Sequence, residues 1–147
     1  MINKNISIIK NSSLVIAILS LLGAVMYVVA GISMERMSAT LLRNYISAVG
    51  IGYFINAAAL AVAALIFFRI FRSGRPFTRG NIWAVRGIAG LFIVKCLIQA
   101  VLEGKDLGIF KAVIAGGDSI FFAVLFLVIA EILRYGRLLQ TESDETL

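Results

Sequence analysis

"RSGRPFTRGN", residues 72–81, separates two apolar runs at about 46–68 and 84–103, and its reading decides the fold. It holds the one proline of the chain, Pro76, together with Arg72, Arg75 and Arg79. Gly74 can adopt the left-handed conformation that closes a helix, and Pro76 just beyond it cannot continue one. Thr78 is placed to cap a new helix. Phe77 before it and Ile82 at the fourth helical position have the spacing of a hydrophobic staple. The third helical position is Asn81, where a full capping box would carry glutamate. Trp83 follows, where an indole ring favours the headgroup boundary. The stretch predicts a tight, capped turn between two long helices.

Those helices are too apolar for water. Of 147 residues, 61% are hydrophobic and 15% charged, a balance that calls for lipid as solvent. Four runs, at about 13–34, 46–68, 84–103 and 112–133, have the roughly 20-residue length that crosses about 30 Å of hydrocarbon. None alternates with the period of a barrel strand, and each unpaired backbone group in lipid costs several kcal/mol, so the runs are predicted helices. The expected fold is all-α: an integral membrane four-helix bundle forming one domain, with a tail over 134–147. The first run exceeds the about 7–15 residues of a secretory signal and is expected to stay as a span.

Basic residues set the orientation. Lys4 and Lys10, then Arg69, Arg72, Arg75, Arg79 and Arg86, then Arg134 and Arg137 fall on one side. Arg36, Arg43, Lys105 and Lys111 fall on the other, among Glu35, Glu103 and Asp106. The positive-inside rule predicts both termini and the arginine loop in the cytoplasm. The net charge of +6 is explained by these membrane flanks, so no direct nucleic-acid binding is expected. The single cysteine, Cys96, and the absence of histidine leave no disulfide framework and no zinc site of the usual spacing. With no nucleophile beside a base and no phosphate-binding glycine loop, neither an enzyme nor a cofactor is expected.

"GRPFTRGN" (74–81), leading into a membrane helix, resembles the Pro-Phe-Thr-x-x-Asn signature of domain of unknown function 2975, a family of small bacterial four-helix membrane proteins. The ending "AEILRYGRLLQTESDETL" (130–147) is similar to that family's helix, glycine, aliphatic pair and acidic segment of the Glu-x-Asp-Leu-Thr-Val kind. Glu142, Asp144 and Thr146 fit that pattern; Glu145 stands where leucine is usual and Leu147 where valine is usual. The resemblance implies a fold and a bacterial cell-membrane location, and no reaction. Some members are encoded beside a small helix-turn-helix DNA-binding protein, which implies a cytoplasmic regulatory partner.

A charge at the middle of a span costs about 2.5–3.5 kcal/mol, so Lys95 and Asp118 need a reason. They lie at similar depths, about 12 and 9 Å inside the outer ends of consecutive spans, which predicts an ion pair. Lys95, Gln99 and Glu103 share one face of the third span. That stripe reads as interhelical glue, with the Lys95 ammonium extending toward water; a substrate or ion path is the alternative. Gly52, Asn56, Ala59 and Ala63 form a small, polar face of span two, and Ser20, Gly23, Tyr27 and Gly31 one of span one. These faces are expected to pack spans one and two together, with a homodimer seam as the alternative. Glu131 is expected to pair with Arg134, one turn away.

The functional expectation is a non-enzymatic regulatory or accessory subunit. Its cytoplasmic contact surface would comprise Arg72, Arg75, Pro76, Phe77, Thr78, Arg79 and Asn81, with Glu142 and Asp144 in a tail that is disordered until bound. Anionic headgroups, a DNA-binding regulator or a membrane protein are the expected partners. A small transporter or channel subunit, with Asn56, Lys95, Gln99 and Asp118 along a path, and a membrane immunity protein are the alternatives.

Overall fold

The computed structural model describes residues 2–37, 43–107 and 117–145, with side chains described over 6–34, 49–101 and 117–143. Four long helices make up nearly all of it: α1 (Ile2–Met37), α2 (Arg43–Ser73), α3 (Arg79–Leu107) and α4 (Gly117–Glu145). Each contains a stretch long and apolar enough to cross a membrane, at Ile6–Met34, Val49–Ser73, Arg79–Val101 and Gly117–Ser143. The chain is an all-α, multi-pass membrane bundle. Expected spans one to three fall inside α1 to α3; the first residues of span four lie outside the described residues.

The helices expose what a soluble protein would bury. Leu19, Leu21, Leu22, Met26 and Val29 of α1 and Phe121, Val124, Val128 and Ile132 of α4 all face outward, as lipid-facing residues do. The interior is built from small residues, among them Ala17, Ala24, Ala57, Ala59, Ala64, Ala89, Ala123 and Ala130. Hydrocarbon supplies no hydrophobic drive between helices, so close backbone approach and dispersion hold the bundle.

Each helix packs on the next in sequence. Gly23 and Gly31 of α1 receive Leu60 and Phe54 of α2, and Tyr27 lies 5.8 Å from Tyr53. Ile66 and Ile70 of α2 cluster with Val85 and Ile88 of α3. Phe92 of α3 stacks on Phe126 of α4 at 5.8 Å and leans on Phe122 at 5.4 Å. No Cα of α1 comes within 8 Å of one in α4 among the described residues, so the bundle is open along one edge. The glycine face of α1 packs on α2 as expected. On α2 the contacts to α1 include Tyr53, Phe54 and Leu60, while of the expected face Gly52 lies against Lys95 of α3, Ala59 joins the core, and Asn56 and Ala63 line a cavity that Tyr27 of α1 shares.

The tail is not the disordered segment expected from its polarity. Residues 134–145 continue α4 as helix, since glutamate, leucine, arginine and glutamine are good helix formers and no proline intervenes. Gly136 within it is a contact point: a Cβ there would stand 2.7 Å from the Phe77 ring. Gly136→Val is expected to destabilise the detergent-solubilised protein by about 1–3 kcal/mol through overpacking. Phe77→Ala in the same chain should restore part of the loss, measured by thermal melts of the two single variants and the double.

Candidate functional site

Two groups of polar residues stand out, one at the α2–α3 hairpin and one inside the bundle. The first is the hairpin. Gly74 has φ +67° and its N–H donates to the Ile70 carbonyl at 2.7 Å, closing α2 as its sequence predicts. The Ser73 hydroxyl donates to the Arg69 carbonyl at 2.8 Å and accepts from the Arg75 N–H at 3.2 Å. Thr78 caps α3: its Oγ1 accepts from the Asn81 N–H at 3.3 Å, and its carbonyl accepts from the Ile82 N–H at 3.1 Å. The Asn81 side chain reaches back across the turn, Nδ2 donating to the Pro76 carbonyl at 3.0 Å.

That lock decides which hairpin residues face outward. Arg72, Arg75 and Arg79 are exposed, while Pro76, Phe77 and Thr78 are half-buried. Asn81, expected on a contact surface, is only 1% exposed; its amide is turned inward by the Pro76 carbonyl. Phe77 packs on Gly136 of α4. Lys10 of α1 lays its stem over Gly74, so the start of α1 and the end of α4 both gather at the hairpin. Glu142 is exposed on the last turns of α4, and the Asp144 side chain lies outside the described residues.

Glu131 is more than the local partner of Arg134. It accepts from Arg134 at 3.1 Å and from Arg86 of α3 at 2.5 Å, so one carboxylate joins two arginines and ties α3 to α4. Arg86 also lies 5.4 Å from the Trp83 ring centroid. Among the described residues, Arg72, Arg75 and Arg79 form no ion pair.

The second group lies inside the membrane region, where all four helices line a cavity of about 320 Å³. Tyr27, Asn56, Lys95 and Asp118 give it a polar end; Phe92, Phe122 and Phe126 give it an aromatic wall. Lys95 is 8% exposed. Its stem passes over Gly52, whose missing Cβ would stand 3.4 Å from Lys95 Cε, and its ammonium lies 5.8 Å from the Phe92 ring centroid. Gly52 stands 21 residues from the hairpin end of α2 and Lys95 16 residues from the hairpin end of α3, so the stem runs across the α2–α3 contact toward the end of the bundle away from the hairpin.

The expected Lys95–Asp118 ion pair does not form. The two residues line the same cavity without an N–O approach within 4.0 Å. Asp118 is drawn to the start of its own helix, where Oδ1 accepts from the Ser119 N–H at 2.8 Å. Ser119, fully buried, donates from its hydroxyl to Gln99 Oε1 at 3.3 Å. Gln99 therefore serves the α3–α4 contact while Lys95 turns to the cavity, and the predicted stripe divides; the Glu103 side chain lies outside the described residues. The Asn56 side chain makes no hydrogen bond, and its Oδ1 is fully buried. The Phe92 ring offers the ammonium about 0.5–2 kcal/mol, less than the about 2.5–3.5 kcal/mol that a central charge costs.

Ser119 and Gly52 were not among the expected site residues. Ser119 is adjacent to Asp118, and Gly52 stands one turn from Asn56, so spacing alone could have found both. No family model matches the chain, and neither a curated protein nor a solved structure matches it.

Proposed function

We propose that this protein is a non-enzymatic membrane subunit of regulatory or accessory type, which engages an acidic partner through the arginine hairpin on the cytoplasmic side. One observation carries the reading: Arg72, Arg75 and Arg79 are exposed and unpaired on a turn made rigid by its caps. The nearby carboxylate, Glu131, is already held by Arg86 and Arg134. Guanidinium groups suit carboxylates and phosphates, which they bind bidentately. Anionic headgroups contribute about 1 kcal/mol per arginine near the surface, and a cytoplasmic protein adds shape to that charge. The resemblance to domain of unknown function 2975 favours a small DNA-binding regulator as that protein.

The test is affinity purification of the tagged protein from native membranes in mild detergent, beside a variant with Arg72, Arg75 and Arg79 all changed to glutamine. The wild type is expected to retain a stoichiometric soluble partner that the variant loses. Equal recovery from both would leave the arginines with a role in topology alone. Orientation is checked in a Cys96→Ala background. Ser143→Cys should be shielded from an impermeant thiol reagent in intact cells and Ser38→Cys should label; the reverse pattern would place the hairpin outside.

A further inference from the structure

We propose that the intramembrane cavity binds the zwitterionic head and the first part of one chain of a membrane amphiphile, with Lys95 taking its anionic group and Asp118 its ammonium. The site lies beyond the hairpin reading, since Lys95 is 16 residues from Arg79 along α3, about 24 Å at the helical rise. Either can fail without the other.

Three polar side chains reach this space. Lys95 is more than nine-tenths buried, and its ammonium has no hydrogen-bond or ion-pair partner. The Asn56 side chain makes no hydrogen bond, and its Oδ1 is buried. Asp118 is exposed and accepts from the Ser119 N–H, with no cation within 4.0 Å. Buried polar groups in folded proteins have partners, so Lys95 and Asn56 call for one. Water can bridge the polar end, where Tyr27, Asn56, Lys95 and Asp118 supply the about 2–4 partners it needs, but it gains nothing from the aromatic wall, which calls for an apolar occupant.

The signs of the charges select the ligand. A simple anion would satisfy Lys95 and meet repulsion from Asp118; a simple cation would do the reverse. In a low-dielectric cavity such terms are large. A molecule carrying both charges a few ångströms apart matches both and adds no net charge to the membrane interior. Its ammonium or hydroxyl also offers a donor to Asn56 Oδ1. The aromatic wall of Phe92, Phe122 and Phe126 then takes the start of an apolar chain. A volume of about 320 Å³, near the lower bound of about 300–1,000 Å³ for ligand sites, leaves the rest of the chain outside. The open α1–α4 edge lets it continue into the bilayer. This edge also favours a lipid over a soluble zwitterion such as an amino acid, which would arrive from water.

The experiment uses the full chain in a non-ionic detergent, titrated with lysophosphatidylethanolamine and followed by native mass spectrometry. Lysophosphatidic acid of the same chain length and free leucine serve as comparisons. One saturable adduct is expected with lysophosphatidylethanolamine, with lysophosphatidic acid about tenfold weaker and leucine unable to displace it. Lys95→Met and Asp118→Asn should each weaken the adduct by about tenfold or more, as loss of a charged hydrogen-bond partner does. Asp118→Asn should also abolish the discrimination between the two lipids, because it removes both the ammonium site and the repulsion of the acid. Ala63→Leu, which fills the cavity and leaves the charges alone, should weaken binding and so tests the site even if a charge variant fails to fold. Undiminished binding by folded Lys95→Met or Ala63→Leu, equal wild-type binding of the two lipids, or displacement by leucine would each overturn the proposal.

Discussion

Lys95→Met is expected to stabilise the detergent-solubilised, delipidated protein by about 1–3 kcal/mol, the cost of a buried ammonium less what the Phe92 ring returns. Methionine follows the same path over Gly52 and leaves no cavity where the stem had been. The sign distinguishes two structures. If Lys95 were paired with Asp118, truncating it would strand a charge and destabilise the protein; because it is unpaired, truncation relieves one. Asp118→Asn should change stability little, since an amide oxygen still accepts from the Ser119 N–H, and the two substitutions should add within about 0.5 kcal/mol. Thermal melts read by a thiol-reactive dye suit this measurement, because Cys96 is the only thiol and is half-buried. A loss of stability in Lys95→Met, or coupling well above that limit, would restore the ion pair.

Asn81→Ala is expected to cost about 2 kcal/mol, more than any change to the neighbouring arginines. Asn81 is buried at the hairpin and holds the Pro76 carbonyl at 3.0 Å; losing that bond leaves the carbonyl with the Thr78 N–H alone, and the missing side chain leaves a gap. Thr78→Ala should cost about 1 kcal/mol, the usual loss for an N-cap. Partner recovery should fall with Asn81→Ala although every arginine is present, because the turn that spaces them loosens. A melt indistinguishable from wild type would mean that the Gly74 closure and the Thr78 cap suffice.

What was legible before the structure was whatever depends on neighbours in sequence. The four apolar runs, the left-handed Gly74 and the Thr78 cap all follow from residues within a turn or two of each other, and local chemistry decides them. The site was half legible. Asn56, Lys95 and Asp118 do line one cavity, because matched depth on antiparallel helices brings such residues together. Their relations were not legible. The Asp118 bond to the adjacent Ser119 N–H is local and was missed; whether α4 also brings Asp118 to Lys95 depends on how α4 packs on α3 through Phe92, Phe122 and Phe126. The Arg86–Glu131 bridge and the seat of Phe77 on Gly136 escaped for the same reason: each joins residues 45 or more positions apart. The tail misled because its composition is polar, and polarity says nothing against a helix that continues one already nucleated in the membrane.

The serial packing of α1 on α2, α2 on α3 and α3 on α4 also bears on how the molecule is made. Spatial order equals order of synthesis, so every helix that enters the bilayer finds its neighbour already there. None waits for a segment still inside the ribosome, and no final closure of the last helix on the first is required among the described residues. Assembly can proceed by successive addition of adjacent hairpins, with contacts that stay local along the chain and little loop-closure entropy to overcome. A chain ordered in this way leaves few chances for non-native pairing during insertion, and the same order leaves the α1–α4 edge open once the last helix is in place.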